Sequence, residues 1–192
     1  QEIGDYIVPR KADITRKRTA GDKRTEKIYD GTAIHAAELL TASLHGMLTS
    51  ASMPWFSLRF TDPMLATDDV AKEWLEGAEE TMYHAFARSN FQEQIHELYA
   101  DLVTFGTAVM MISSDEDTQL SFSTRHIAEC YLSEDEHGRV DTVVRKYQIP
   151  GRDARTLWGD DIGPRLLQRI EKDPYEMVDL LNFVQPRDER DT

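Results

Sequence analysis

Apolar residues recur at helical intervals from Ile28 through Ala33, Ala36, Ala37, Leu40, Leu44 and Met47 to Leu48. This spacing predicts a helix near residues 26–48 with an alanine-rich stripe that permits close packing. The stretch from Thr49 to Pro54 breaks it. Phe56, Leu58 and Phe60 then alternate within 55–60, as in a short half-buried strand. Val70, Ala71, Trp74, Leu75, Ala78, Met82, Ala85 and Phe86 mark a second helix, with Asp68 and Asp69 suited to its N-terminus. Ser89 to Gln92 has the S-x-x-Q form of a capping box. A third helix is predicted over 90–105, with Phe91, Ile95, Leu98, Leu102 and Phe105 inward and Gly106 as its stop.

After Gly106 the period shortens. "TAVMMISS" and "LSFS" read as strands around an acidic turn, and residues 130–149 read as a hairpin turning at Glu136-His137-Gly138. Short helices around 154–158 and 164–172, the latter opened by Pro164, and a strand over 176–185 complete the pattern. No internal repeat is present. Three N-terminal helices followed by antiparallel strands make this an α+β chain. Residues 1–24 are polar without a sustained period and are expected to form a flexible basic arm. Residues 25–187 are expected to form the domain, and 188–192 a charged tail.

Composition adds limits. A chain of 192 residues, 40% hydrophobic and 30% charged, is large enough for a real core. It has no apolar run of 18 or more and no leader pattern at Gln1, so no membrane contact is expected. A single cysteine, Cys130, excludes an internal disulfide and suits an intracellular setting. The net charge of −13 is uneven. Residues 10–27 hold eight basic groups against three acids, which leaves −18 on the remainder. So acidic a body disfavours broad phosphate binding, which needs many closely placed cations. The basic segment, with Lys11, Arg16, Lys17, Arg18, Lys23 and Arg24, could contact DNA, meet an acidic partner or stay solvated. It lacks interleaved aromatics, which weakens single-strand stacking.

Candidate chemistry is sparse. Glu93 and His96, three apart on a helix, could share a metal as in di-iron bundles, but a second such helix is required. Glu134 and His137 have that spacing in a predicted hairpin, and Glu80 and His84 are four apart. The bland alternative is a solvated helical pair. Gly159-Asp160-Asp161 and Gly163 are too short for an EF-hand loop. Cys130 has His126 as a local partner but sits at an apolar strand start, where a buried small hydrophobe is the simpler reading. No His-Glu-x-x-His, nucleophile elbow, Walker A or dinucleotide fingerprint occurs. Neither a catalytic centre, a metal nor a cofactor is expected. Trp55, Phe56, Trp74 and Trp158 read as core or subunit-interface anchors. Gly46, inside a helix, costs about 1 kcal/mol relative to alanine, and close backbone approach by another element would offset this. His45 beside it is a helix-edge residue near the C-terminal dipole.

Three stretches taken together, "YDGTAIHAAELLTASLHGMLTSASMPWFSLRF", "SNFQEQIHELYADLVTFGTAVM" and "GRVDTVVRKY", resemble the N-terminal half of the head-to-tail connecting, or portal, proteins of short-tailed bacteriophages. The shared positions run in order from Tyr29-Asp30 through Gly46, Trp55-Phe56, Ser89-Asn90-Phe91 and Phe105-Gly106-Thr107 to Gly138-Arg139-Val140-Asp141. Ala51 stands where such proteins often have proline. The resemblance implies a non-enzymatic structural subunit of a homo-oligomeric ring, usually a dodecamer, at one vertex of the virion. Double-stranded DNA would be packaged and ejected through that ring. It further implies capsid protein, terminase and tail adaptor proteins as partners, and assembly in the host cytoplasm. Portals of this kind are much longer, so the chain is expected to be a wing-like portion. Gly46, Trp55, Phe56 and Trp74 are then candidates for packing or subunit contact.

Overall fold

The computed structural model describes residues 1–15, 19, 21–115 and 119–187. Arg16, Lys17, Arg18, most of the acidic turn after Asp115 and the tail 188–192 lie outside the described residues. The chain divides into two units, Gln1–Ala128 and Glu129–Thr192.

The first unit opens with helix α1, Glu2–Ile7, inside the segment where the sequence predicts an arm. Gly4 and Asp5 are buried, and α1 packs against α2, Thr32–Leu48, and α4, Phe91–Phe105. Gly4 permits this, since a Cβ there would lie 3.2 Å from Ala12 Cα and from Phe105 Cε1. Asp5 accepts from Lys27 Nζ at 2.8 Å, and Asp101 accepts from Lys11 Nζ at 2.8 Å. Lys11 inside this segment and Lys27 just after it therefore hold it on its own chain.

Helix α2 starts at Thr32, later than the periodicity predicts, because Asp30 intervenes. Its carboxylate accepts the Thr32 N–H at 2.9 Å, and that bond, with the Thr32 side chain, holds the carboxyl below its ordinary range. An acid there also complements the helix dipole. Helix α3, Asp69–Arg88, begins as predicted, with Asp68 accepting the Val70 N–H. Helix α4 ends at Gly106 in the left-handed conformation (φ 75°). The predicted capping box at its start does not form. Asn90 is the N-cap residue, and its side chain bridges both backbone groups of Phe122 at 2.8 Å. Gln92 instead pairs with His45.

Strands β1, Val109–Asp115, and β2, Gln119–Arg125, form an antiparallel hairpin against α4. The core is Phe91, Ile95, Tyr99 and Phe122, bordered by Leu44, Trp55, Phe86, Leu98, Met110 and Leu120. The inward stripe of α4 is thus 91-95-99, with Tyr99 in place of the predicted Leu102, which is 43% exposed. The helix rotates this way because α2 and β2 pack on it from different elements.

Residues 55–60 are not a strand. Their backbone is extended, yet it is held by side chains of α3. Tyr83 Oη accepts the N–H groups of Trp55 and Phe56 at 2.8 and 2.9 Å and donates to Phe56 O at 2.8 Å, while Glu79 accepts the Leu58 N–H at 3.0 Å. The alternation of Phe56, Leu58 and Phe60 is real in sequence, but a strand also requires a backbone partner.

In the second unit β3, Cys130–Glu134, β4, Val140–Pro150, and β5, Met177–Val184, form an antiparallel sheet in the order β3-β4-β5. The predicted hairpin turn is present, with Gly138 at φ 73° and Asp135 accepting from the N–H groups of His137 and Arg139. Helices α5, Gly151–Trp158, and α6, Pro164–Lys172, bury Ala154, Ile162 and Ile170 with Ile149, Leu166 and Leu167. A Cβ on Gly151 would lie 2.8 Å from Ile170 Cγ1, so glycine is required there by a neighbouring side chain. Arg169 on α6 bonds Glu176 and holds its carboxyl below the ordinary carboxylate value.

Candidate functional site

Helix α2 contains one carboxylate, Glu38, and neither lysine nor arginine. Among its residues Thr41 is the one that is fully buried, and Ile34, Ala37, Leu44 and His45 are half-buried on the same side. An adjoining strip of the helix carries Ala33, Ala36, Leu40, Ser43 and Met47, all exposed, at successive spacings of 3, 4, 3 and 4. Leu40 is 50% and Met47 75% exposed. Ser43 turns its hydroxyl back to donate to Leu39 O at 2.8 Å, which leaves this row without an outward polar group. A helix whose apolar arc extends beyond its buried face is normally covered along the rest of that arc, and 3-4 spacing is the seam along which two helices interlock. Alanine and serine at alternate positions allow a facing helix to come close.

Gly46 lies on this helix, and a Cβ there would meet nothing within 4 Å. The expected close approach by another element is absent within the described residues. Trp55 and Phe56 sit in an aromatic cluster. Trp55 stacks on Phe91 at 5.6 Å between ring centroids, and Phe56 stacks on Tyr83 at 4.4 Å. Trp74 is 67% exposed on α3, with Phe60 stacked at 6.4 Å, so it is not a core residue of this chain. Trp158 is also exposed, at the end of α5.

The basic candidates separate. Lys11 is taken up by Asp101, whose carboxylate is buried, with Glu97 at 4.0 Å, and Arg24 lies 3.2 Å from Asp13. Lys23 is exposed. The partners identified for Lys11 and Arg24 are acids of the same chain.

The metal candidates do not converge. Among the described residues no three His, Cys, Asp or Glu side chains form a metal-holding group. Glu80 and His84 form an exposed pair at 3.7 Å on α3. Glu134 ends β3, whereas His137 lies in the turn beside Glu136. Gly159–Asp161 is a single 3-10 turn. Cys130 is buried at the start of β3, and the His126 ring lies 5.9 Å from that of Phe105. His96 does find a partner that the sequence reading missed. Its Nδ1 is 3.3 Å from Nδ1 of His45, and His45 Nε2 is 2.7 Å from Gln92 Oε1. The two histidines are 51 positions apart, and no local pattern couples them. The exposed side of α2 had a signal in sequence: its apolar residues are too many for one stripe.

No helix among the described residues is long and apolar enough to cross a membrane. Residues 1–192 match the profile of the family described as bacteriophage head to tail connecting protein. A protein of Bordetella phage BPP-1 described as "Probable portal protein" is 30% identical over 194 aligned positions, covering 100% of this chain and 35% of that protein. The "Portal protein" of Salmonella phage epsilon15 is 29% identical with the same coverages. The chain thus spans about a third of the length of the curated relatives it matches.

Proposed function

The chain belongs to the bacteriophage head to tail connecting protein family, and from this premise we propose that it is the wing-like portion of a structural portal subunit. It assembles with further copies into a closed ring, a dodecamer, at one vertex of the virion. Double-stranded DNA passes through that ring during packaging and ejection. The working partners are the capsid protein, the terminase that supplies ATP-driven force, and tail adaptor proteins. Assembly takes place in the host cytoplasm. The acidic balance, −13 over the chain, suits a conduit that repels phosphate and lets a duplex slide.

The observation that carries the assembly role is the uncharged exposed row on α2, Ala33, Ala36, Leu40, Ser43 and Met47. A ring requires two different patches to meet head to tail, so this row faces a different surface on the adjacent copy. Trp74, exposed on α3, is a second contact candidate.

The test uses the full-length protein. Electron microscopy and mass photometry should show closed rings for the native sequence and smaller species for Leu40→Glu combined with Met47→Glu. Because both residues are exposed in the single chain, the stability of the isolated subunit should change by about 0.5 kcal/mol or less. Rings of unchanged size and yield in the double variant would remove α2 from the interface.

A further inference from the structure

We propose that the groove beside the C-terminal end of α2 receives the exposed α2 row of the next copy, with Leu40 and Met47 as its plugs. The inference rests on the ring assembly proposed above and identifies the surface that its seam meets. Two cavities of about 350 and 380 Å³ run together here, since Ser50, Ala51, Ser52 and Gln92 line both. Met53, Pro54, Trp55, Phe86 and Ala87 wall the first, and Ala42 and Gly46 wall the second. None of the residues lining either cavity is Asp, Glu, Lys or Arg, although such residues make up 30% of the chain. The α2 row is uncharged as well, so the two surfaces match. The polar side chains of the groove are bonded among themselves or to its backbone. The Ser50 and Ser52 hydroxyls are 3.1 Å apart, His45 contacts Gln92 at 2.7 Å and His96 at 3.3 Å, and the Tyr83 hydroxyl holds Trp55 and Phe56. Covering the groove therefore strands few unsatisfied groups, which favours a dry protein contact.

Placement on the helix fits a head-to-tail contact. At about 100° per residue, Ala42 stands about 160° round α2 from Leu40, and Gly46 about 100° from Met47. Row and groove thus flank the face of buried Thr41 from its two sides. A closed ring needs two such patches pointing in different directions. Leu40 and Met47 are seven residues apart, about 10 Å along the helix, which suits one plug for each cavity. Glycine inside a helix is unfavourable, and at Gly46 a Cβ would meet nothing in the same chain. An entering side chain of the neighbour requires that open space, so the close approach expected at Gly46 comes from the next copy.

In the full-length protein, mixing Met47→Cys copies with Ala87→Cys copies under oxidation by diamide should yield disulfide-linked pairs that neither variant forms alone. Both substitutions in one chain should give ladders of linked subunits. Gly46→Leu should leave the unfolding midpoint of the subunit unchanged or higher. It should nevertheless raise the subunit concentration for half-assembly about tenfold or more, the scale of one lost apolar anchor. Ala87→Arg should also block assembly, and adding Met47→Glu to it should restore rings through a charge pair across the contact. If the native protein forms rings but the mixed cross-link is absent, or if Gly46→Leu and Ala87→Arg assemble fully, the groove is not the acceptor and the ring assembly still stands. Native protein that forms no rings would remove both.

Discussion

The hydroxyl of Tyr83 stands where a neighbouring strand would otherwise be needed. It has one proton and two lone pairs, and all three are used on Trp55 N–H, Phe56 N–H and Phe56 C=O. Those backbone groups are part-buried beneath an aromatic cluster, where water replaces them poorly. Tyr83→Phe keeps the ring stacked on Phe56 but strips all three bonds at once. The cost should be about 2–4 kcal/mol, since each unsatisfied buried group costs about 1–3 kcal/mol before partial rehydration. Urea unfolding measures it, and amide exchange at Trp55 and Phe56 should accelerate in parallel. A loss under about 0.5 kcal/mol, the usual scatter of surface changes, would mean that the segment is held by ring packing alone. Glycine shows the same dependence on context at this scale. Gly46 and Gly151 are equally plain in sequence, but a Cβ would collide with Ile170 at Gly151 and meet nothing at Gly46.

At the scale of elements, the parts legible in sequence are those fixed by their own residues. Pro164 begins α6, Gly106 ends α4, Gly138 turns the β3–β4 hairpin and Asp68 caps α3, each through local backbone geometry. What was not legible depends on distant chain. The 55–60 strand failed for want of a ladder partner, the capping box lost Gln92 to His45, and the inward stripe of α4 turned to Tyr99 under packing from α2 and β2. The junction of α6 with β5 is a further long-range feature, and its chemistry makes it sensitive to acid. The hydrogen bond from Arg169 is the main cause that lowers the Glu176 carboxyl's pKa, and the nearby charges of Arg169 and Lys172 add to it. A carboxyl lowered in the folded state stabilises fully above its ordinary value of 4.5, and this contribution is lost as pH falls through the lower folded value. Glu176→Gln should therefore melt below the native protein at neutral pH, by a small margin because the pair is solvent-exposed. The difference should hold down to about pH 5 and close in stronger acid. A gap that widens on acidification would assign the junction's stability to other groups.

For the whole molecule, charge and assembly pull in opposite directions. Copies that each carry −13 in this portion repel one another when brought into a ring. The proposed seam on α2 offers no compensating ion pairs, since its exposed row is Ala33, Ala36, Leu40, Ser43 and Met47. Basic residues that could have met a neighbour's acids are in part engaged internally, Lys11 with Asp101 and Lys27 with Asp5. Screening should then favour association. The Debye length falls from about 14 Å near 0.05 M to about 4 Å near 0.5 M salt, which removes most repulsion between exposed charges while leaving apolar contact intact. Ring formation should accordingly strengthen over that range, seen as a lower subunit concentration for half-assembly by mass photometry. An interface built on the basic segment and a neighbour's acidic surface would respond in the opposite sense, with rings dissociating as salt is added. The sign of that response distinguishes an apolar helix seam from an electrostatic arm as the element that joins one subunit to the next.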